Sequence, residues 1–246
     1  MLKDKLIAWT KEYFSNTAGK AIIGISGGKD STIAAAVLVE ALGADRVVGV
    51  LMPNGEQKDI SDSLEVCELL GIDHYTVNIG ETYSLLSAAI QSASESTLGV
   101  EVAKHSVVST NLPSRLRMAT LYTVAALIPG SRVINTSNRS ERWVGYSTKW
   151  GDGVGDVSLF GNLTVSEVLQ IGDELGLPKH LVHKAPSDGM SGKTDEDNLG
   201  FTYAQLDEYL LNDNYDLPSN IVSRIEFLHR INKHKVEPMP TFTKED

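Results

Sequence analysis

The stretch AIIGISGGKDS, Ala21 to Ser31, decides the fold. AIIGI is a short apolar run of the kind that forms a parallel strand buried on both faces. It leads straight into the glycine-rich turn SGGKDS, and TIAAAVLVEALG then reads as an apolar helix that stops at Gly43. A strand followed at once by a helix puts the turn at the carboxyl end of a strand. Parallel α/β sheets bind their ligands there, with free backbone N–H groups facing an anion.

The same alternation continues on both sides. Upstream, Leu2, Leu6, Ile7, Trp9, Tyr13 and Phe14 recur at helical spacing, so the first 15 residues predict an amphipathic helix. Downstream, 46–53 and 74–79 read as strands around a helix over 59–71. Helices over 83–93 and 111–127 then lead to a strand over 132–137. Past Ser137 the glycines crowd (Gly145, Gly151, Gly153, Gly155 and Gly161), which predicts extended site loops rather than regular elements. Helices over 164–175, 203–211 and 218–231 complete the reading. The class is α/β, a doubly wound parallel sheet with helices on both faces, and no linker divides residues 1–246, so a single domain is expected.

With 246 residues, 41% of them hydrophobic and 22% charged, the chain can bury a substantial core, which excludes disordered and fibrous classes. Lys and Arg number 22 against 32 Asp and Glu, a formal charge of −10 that repels polyanions, so nucleic acid is not an expected partner. The start MLKDKLIAWTKEYFSN lacks a signal peptide's unbroken apolar stretch, and no segment approaches the ~18 apolar residues of a membrane span. A lone cysteine, Cys67, excludes intramolecular disulfides and reads as a small buried hydrophobe. A cytoplasmic protein with no membrane partner is the expectation.

The turn offers phosphate chemistry. Gly27 and Gly28 let the backbone approach an anion closely, Ser26 and Ser31 add hydroxyl donors, and Asp30 can hold Mg²⁺ on the phosphate side. Two other patterns overlap it. Gly24, Ser26 and Gly28 satisfy G-x-S-x-G, which would make Ser26 a hydrolase nucleophile needing an acid and a histidine, with His180, His183, His229 and His234 available. GMSGKT, 189–194, imitates the end of a Walker A loop, but Ser187 stands where the first glycine belongs and no buried strand precedes it.

SGGKDS after an apolar strand resembles the pyrophosphate loop of the N-type ATP pyrophosphatases, whose fold is the adenine nucleotide alpha hydrolase type. From Arg115 onward the chain is similar to NAD synthetase, through RLRMATLY (115–122), INTSNRSE (134–141), GYSTKWGDGVGD (145–156), PSDG with KTDEDNLG (186–200) and HK at 234–235, all in that family's order. The resemblance implies ATP-dependent amidation of deamido-NAD with ammonia, through an acyl-adenylate, giving NAD, AMP and pyrophosphate. Mg²⁺ is the implied cofactor and ATP the co-substrate.

Matched residue by residue, the resemblance implies that Gly24, Ile25, Ser26, Gly27, Gly28, Lys29, Asp30 and Ser31 hold the ATP phosphates, with Thr136 and Ser187 also on the nucleotide. Asp30 and Glu141 would ligate Mg²⁺. Arg115, Lys149 and Asp156 would meet deamido-NAD, and Asp152 would lie by the incoming ammonia. His234 and Lys235 would reach the dinucleotide across the interface of a homodimer with shared sites. Other residues invite plainer readings. Arg117 points away from Arg115 on one helix and is read as structural. Asp195, Glu196 and Asp197 are read as a solvated face or helix start, and His74 and His105 as surface or core. The chain departs from the family's pattern at Val165, where a lysine on ATP is usual; Lys29, Lys149 and Lys184 are candidates to compensate. No segment has room for a second, glutamine-hydrolysing domain, so free ammonia or ammonia from a separate protein is the expected nitrogen source.

Overall fold

The computed structural model describes residues 1–57, 59–98, 106–184 and 194–243. Five parallel strands form one sheet in the order β3-β2-β1-β4-β5. They are β1 (Ala21–Gly24), β2 (Val47–Leu51), β3 (Asp73–Thr76), β4 (Arg132–Asn135) and β5 (Val157–Ser158). The helices in chain order are α1 (Leu2–Tyr13), α2 (Lys29–Leu42), α3 (Ile60–Leu70), α4 (Gly80–Leu98), α5 (Ser106–Ala126), α6 (Arg139–Val144), α7 (Val165–Glu174), α8 (Lys179–Val182), α9 (Asp195–Leu199), α10 (Tyr203–Leu211) and α11 (Ser219–Asn232).

β1 sits in the middle because both its faces are apolar. Ala21, Ile23 and Ile25 enter one core with α2 and α7, while Ile22 faces the opposite one with Val48, Val50 and Val124 of α5. This period-2 division makes a doubly covered strand read as an unbroken apolar run. Burying an isoleucine such as Ile22 or Ile23 stabilises the fold by roughly 1.5–3 kcal/mol relative to leaving it in water. A third core joins Val144, Val165, Tyr203, Leu206 and Ile225, tying α6 and α7 to the helices that follow.

Sheet order matters for the site. The chain builds outward from β1 through β2 to β3, then returns to the other side of β1 with β4 and β5. Connections after β1 and β4 therefore leave the sheet in opposite directions and open a crevice between their carboxyl ends. SGGKDS lies on one wall of it and residues 136–138 on the other.

Several boundaries differ from the sequence reading. The third strand ends at Thr76, although Val77 N and Ile79 N still donate to Leu51 O and Pro53 O at 2.8 Å, and all four of its residues are exposed at the sheet edge. The helix expected over 83–93 extends over Gly80–Leu98, and the one over 111–127 starts at Ser106 and passes through Pro113. The glycine-rich region is not all loop. α6 is closed at one end by a reciprocal cap between Asn138 and Glu141 and at the other by Gly145 at φ 63°. Asp195–Asp197 do begin a helix, capped by Thr194, but Asp195 is buried rather than solvated. His74 is exposed on β3, and His105 lies outside the described residues. Cys67 is buried, and burial pushes its thiol up to about 11.

Candidate active site

The phosphate-side wall begins where β1 stops. Ser26 N donates to Ser31 Oγ at 3.2 Å, the two hydroxyls meet at 3.0 Å, and Ser31 Oγ and Thr32 Oγ1 both donate to Gly28 O. These bonds fold the loop back on the first turn of α2, which starts at Gly28 without a side-chain cap. Its leading N–H groups are thus available to an anion, with the positive end of a 14-residue helix behind them. Gly27 holds φ 73°, and a β-carbon there would lie 2.9 Å from Asp62 Cβ and 3.1 Å from Ser63 N, so the start of α3 presses on the loop.

The opposite wall is organised by Asn138, which is fully buried. Its Nδ2 donates to Asp30 Oδ1 at 3.2 Å, its Oδ1 accepts from Glu141 N at 3.0 Å, and its own N–H reaches Glu141 Oε2 at 3.2 Å. Asp30 and Glu141 consequently share one nest. Burial first, then the charge of Asp30, pushes the Glu141 carboxyl up to about 8. Lys29 is the cation inside: its Nζ lies 2.7 Å from Asp30 Oδ2 and 5.6 Å from the Tyr203 ring centroid. Burial alone would lower that ammonium, but Asp30 and Glu141 outweigh it and hold it above the ordinary lysine value. Asp195 accepts from Tyr146 and Tyr203 at 3.1 and 3.4 Å, and burial followed by the Glu141 charge raises the Tyr203 phenol. Two hard carboxylates crowded until one favours its proton form a donor set suited to a divalent cation.

Beyond β4, the Asn135 amide donates to Asp152 O at 2.8 Å and its carbonyl accepts from Ser137 N at 3.2 Å, so one buried side chain shapes the loop over 148–155. Asp152 Oδ1 accepts from Thr148 N at 2.9 Å. Thr136 follows the strand, half-buried. Asp156, though exposed, is anchored to β4 and α5: Oδ2 accepts from Val133 N at 2.8 Å and Oδ1 from Tyr122 at 3.2 Å.

Arg115, Lys149 and Lys235 form a separate cationic group together with His234. Arg115 Nε donates to Lys149 O at 3.3 Å, Lys149 Nζ to His234 O at 2.6 Å, and Lys235 Nζ to Gly145 O at 2.8 Å. Trp150, beneath the Lys149 ammonium, has φ 61°, the single positive φ of a non-glycine among the described residues. Arg117, read as structural, binds Met52 O at 3.1 Å past the end of β2 and senses the charge of Asp152. Ser187 lies outside the described residues, as does most of GMSGKT. Val165 opens α7, buried in the third core, and carries no charge into the site.

Among the described residues no hydrogen bond joins Ser26 to a histidine. Ser26 Oγ meets Ser31 and Gly28, whereas the rings of His180, His183 and His229 bond Glu65, Asp173 and Trp143 O. A cleft of about 630 Å³ opens past β2 and β3, lined by Asn54, Gly55, Asn78 and Tyr83. Another, of about 490 Å³ between α1 and residues 158–163, shares no residue with the loop or the nest.

The family model described as NAD synthase matches residues 2–239. The chain belongs to the NAD synthase family. An NH(3)-dependent NAD(+) synthetase of Alkaliphilus metalliredigens is 38% identical over 98% of both chains. Another from Pyrococcus furiosus is 36% identical over 94% of this chain and 90% of its own. Among solved structures, an NMN synthetase from Francisella tularensis is similar with a TM-score of 0.85 and 35% identity, covering 97% of this chain and 96% of that one. NAD synthases are carbon–nitrogen ligases, and this chain is an enzyme of that class with the family's parallel sheet. No helix among the described residues is long and apolar enough to cross a membrane.

Proposed function

We infer that this NAD synthase uses ATP and ammonia to amidate deamido-NAD, giving NAD, AMP and pyrophosphate. The observation that carries this reading is the Asp30–Asn138–Glu141 arrangement facing the uncapped start of α2. A carboxylate cannot expel oxide, so the nicotinate oxygen first attacks the ATP α-phosphorus and pyrophosphate leaves. Ammonia then attacks the acyl carbon, and the tetrahedral intermediate expels AMP. Both steps build negative charge on oxygen, and what this chain offers is N–H donors and cations rather than a nucleophile.

In this reading the N–H groups of Gly27 to Ser31 cradle the phosphates, with Gly24, Ile25 and Ser26 shaping the approach, and Thr136 and Ser187 contact the nucleotide. Asp30 and Glu141 hold Mg²⁺, which when bound offsets phosphate charge. Asp152, whose charge reaches Arg117, orients ammonia and takes the proton that the nitrogen sheds as it adds to the acyl carbon. Asp156 borders the nicotinate side. The protein acts in the cytoplasm as one domain.

Arg115 and Lys149 meet deamido-NAD, and His234 and Lys235 reach it across the interface of a homodimer with shared sites. Supporting this, Arg115 and His234 are exposed, and α4 and the start of α5 leave Leu85, Ile90 and Val107 open to solvent. Because His234 and Lys235 of each chain would complete a partner's site, mixing Asp30→Asn chains with His234→Ala/Lys235→Ala chains should restore about a quarter of wild-type activity after random exchange. No recovery despite proven exchange counts against shared sites.

The deciding assay supplies ATP, Mg²⁺, ammonium and deamido-NAD and follows AMP and NAD together. Equimolar release is expected, with little product when glutamine replaces ammonium. Because a solved relative is named an NMN synthetase, nicotinate mononucleotide is run alongside; faster amidation of the mononucleotide would overturn the dinucleotide assignment. Binding of ATP without any turnover would instead indicate an impaired homologue, the reading Val165 invites.

A further inference from the structure

Lys29 is 7% exposed, with its ammonium 2.7 Å from Asp30 Oδ2 and with Glu141 and Asp195 as its next charges. The other oxygen of Asp30 is held by Asn138. Both oxygens of Asp30 therefore have partners, and a metal ion approaching it must displace one. Asn138 is poorly placed to yield, since it is fully buried and its carbonyl caps α6. Lys29 is different: a compact ammonium on a flexible four-carbon stem can swing to another anion.

Among the described residues, the other lysines that could serve the loop are engaged elsewhere. Lys184 binds Asp59 and Asp62 at 2.8 and 2.7 Å, Lys149 binds His234 O, and position 165 is a packed valine. We propose that the Lys29 ammonium is an exchangeable counter-ion: it neutralises the Asp30–Glu141 nest before loading, then passes to the ATP phosphates as a divalent cation takes Asp30. Metal and phosphate would then bind well together and poorly apart. This rests on the reading of the loop as a phosphate cradle and of Asp30 and Glu141 as metal ligands.

Removing the ammonium should act with opposite signs on two ligands. The bare nest loses its competitor and binds metal better; the loop loses a cation and binds phosphate worse. A lysine that merely supports the fold would move both the same way or neither.

The test uses the full chain. Mn²⁺ binding without nucleotide is followed by electron paramagnetic resonance, and binding of a non-hydrolysable ATP analogue with Mg²⁺ by calorimetry. Lys29→Met should bind Mn²⁺ about tenfold more tightly and the analogue about tenfold more weakly than wild type, while Lys29→Arg stays near wild type for the analogue. Unchanged affinities, or weakening of both, overturn the proposal. If Lys29→Met does not fold, Lys29→Gln carries the same paired expectation, and unfolding of both makes Lys29 structural and also overturns it. Failure of the wild type to bind the analogue would instead strike at the ATP reading itself.

Discussion

Asn138 donates from Nδ2 to Asp30 Oδ1 at 3.2 Å across 108 positions of sequence, so a single amide fixes the spacing between the turns after β1 and β4. Its carbonyl oxygen meanwhile caps α6 at Glu141 N. Asn138→Ala should cost about 1 kcal/mol or more of stability, the usual loss for an N-cap. It should also raise the Mg²⁺ concentration needed for half-maximal turnover. Thermal melts and metal titrations of activity check the two effects, and a normal metal requirement would mean Asp30 and Glu141 find each other without the amide.

Glu141 makes the metal-free protein sensitive to pH. Its folded-state carboxyl titrates near 8 against 4.5 for the free group, raised by burial and Asp30 and opposed by Lys29. The folded form therefore binds the extra proton between those values, and its stabilising contribution is lost as pH rises from about 4.5 through about 8. Melting temperatures of the apoprotein should fall over this interval more steeply than those of Glu141→Gln. Mg²⁺ with ATP should shrink the difference. Parallel melting curves for the two proteins would contradict the assignment.

Asp156 has a structural duty alongside its place near the substrate. Asp156→Ala leaves the buried Val133 N–H without its side-chain acceptor and should destabilise the fold by about 1–3 kcal/mol. Chemical denaturation measures this. If Asp156 also meets deamido-NAD, KM for that substrate should rise while KM for ATP changes little; loss of stability with unchanged KM would leave it only the anchoring role.

Gly27→Ala combines a left-handed backbone with a β-carbon 2.9 Å from Asp62 Cβ. The loop must shift, so ATP affinity should drop at least about tenfold, in line with a backbone cost of about 1–3 kcal/mol. Calorimetric titration with ATP decides it, and near-normal affinity would show the cradle lies elsewhere on the loop.

What the sequence made readable follows from how local each signal is. β1 and α2 declare themselves because a doubly buried strand and an apolar helix need long apolar runs on either side of the turn. α6 also left a local signature, Asn138 three residues before Glu141 with Gly145 beyond, but five nearby glycines favoured reading the region as loop. β5 spans two residues, too short to show any period. Asp195 looked like one of three solvated acids because its partners Tyr146 and Tyr203 come from other elements. The inward direction of Lys29 and the anchoring of Asp156 to β4 likewise depend on contacts that no spacing rule encodes.

Asn232 Nδ2 and Lys235 Nζ close the end of α6 by donating to Val144 O and Gly145 O at 2.9 and 2.8 Å. Ribosomal synthesis delivers these donors roughly ninety residues after the carbonyls they serve, at a pace of about 5–20 residues per second. A nascent chain can thus wind β1, its glycine turn and the Gly145-capped α6 early, while the carbonyls of Val144 and Gly145 wait several seconds more for their side-chain donors. The carboxyl end of α6 is therefore finished only after α11 and residue 235 have been made.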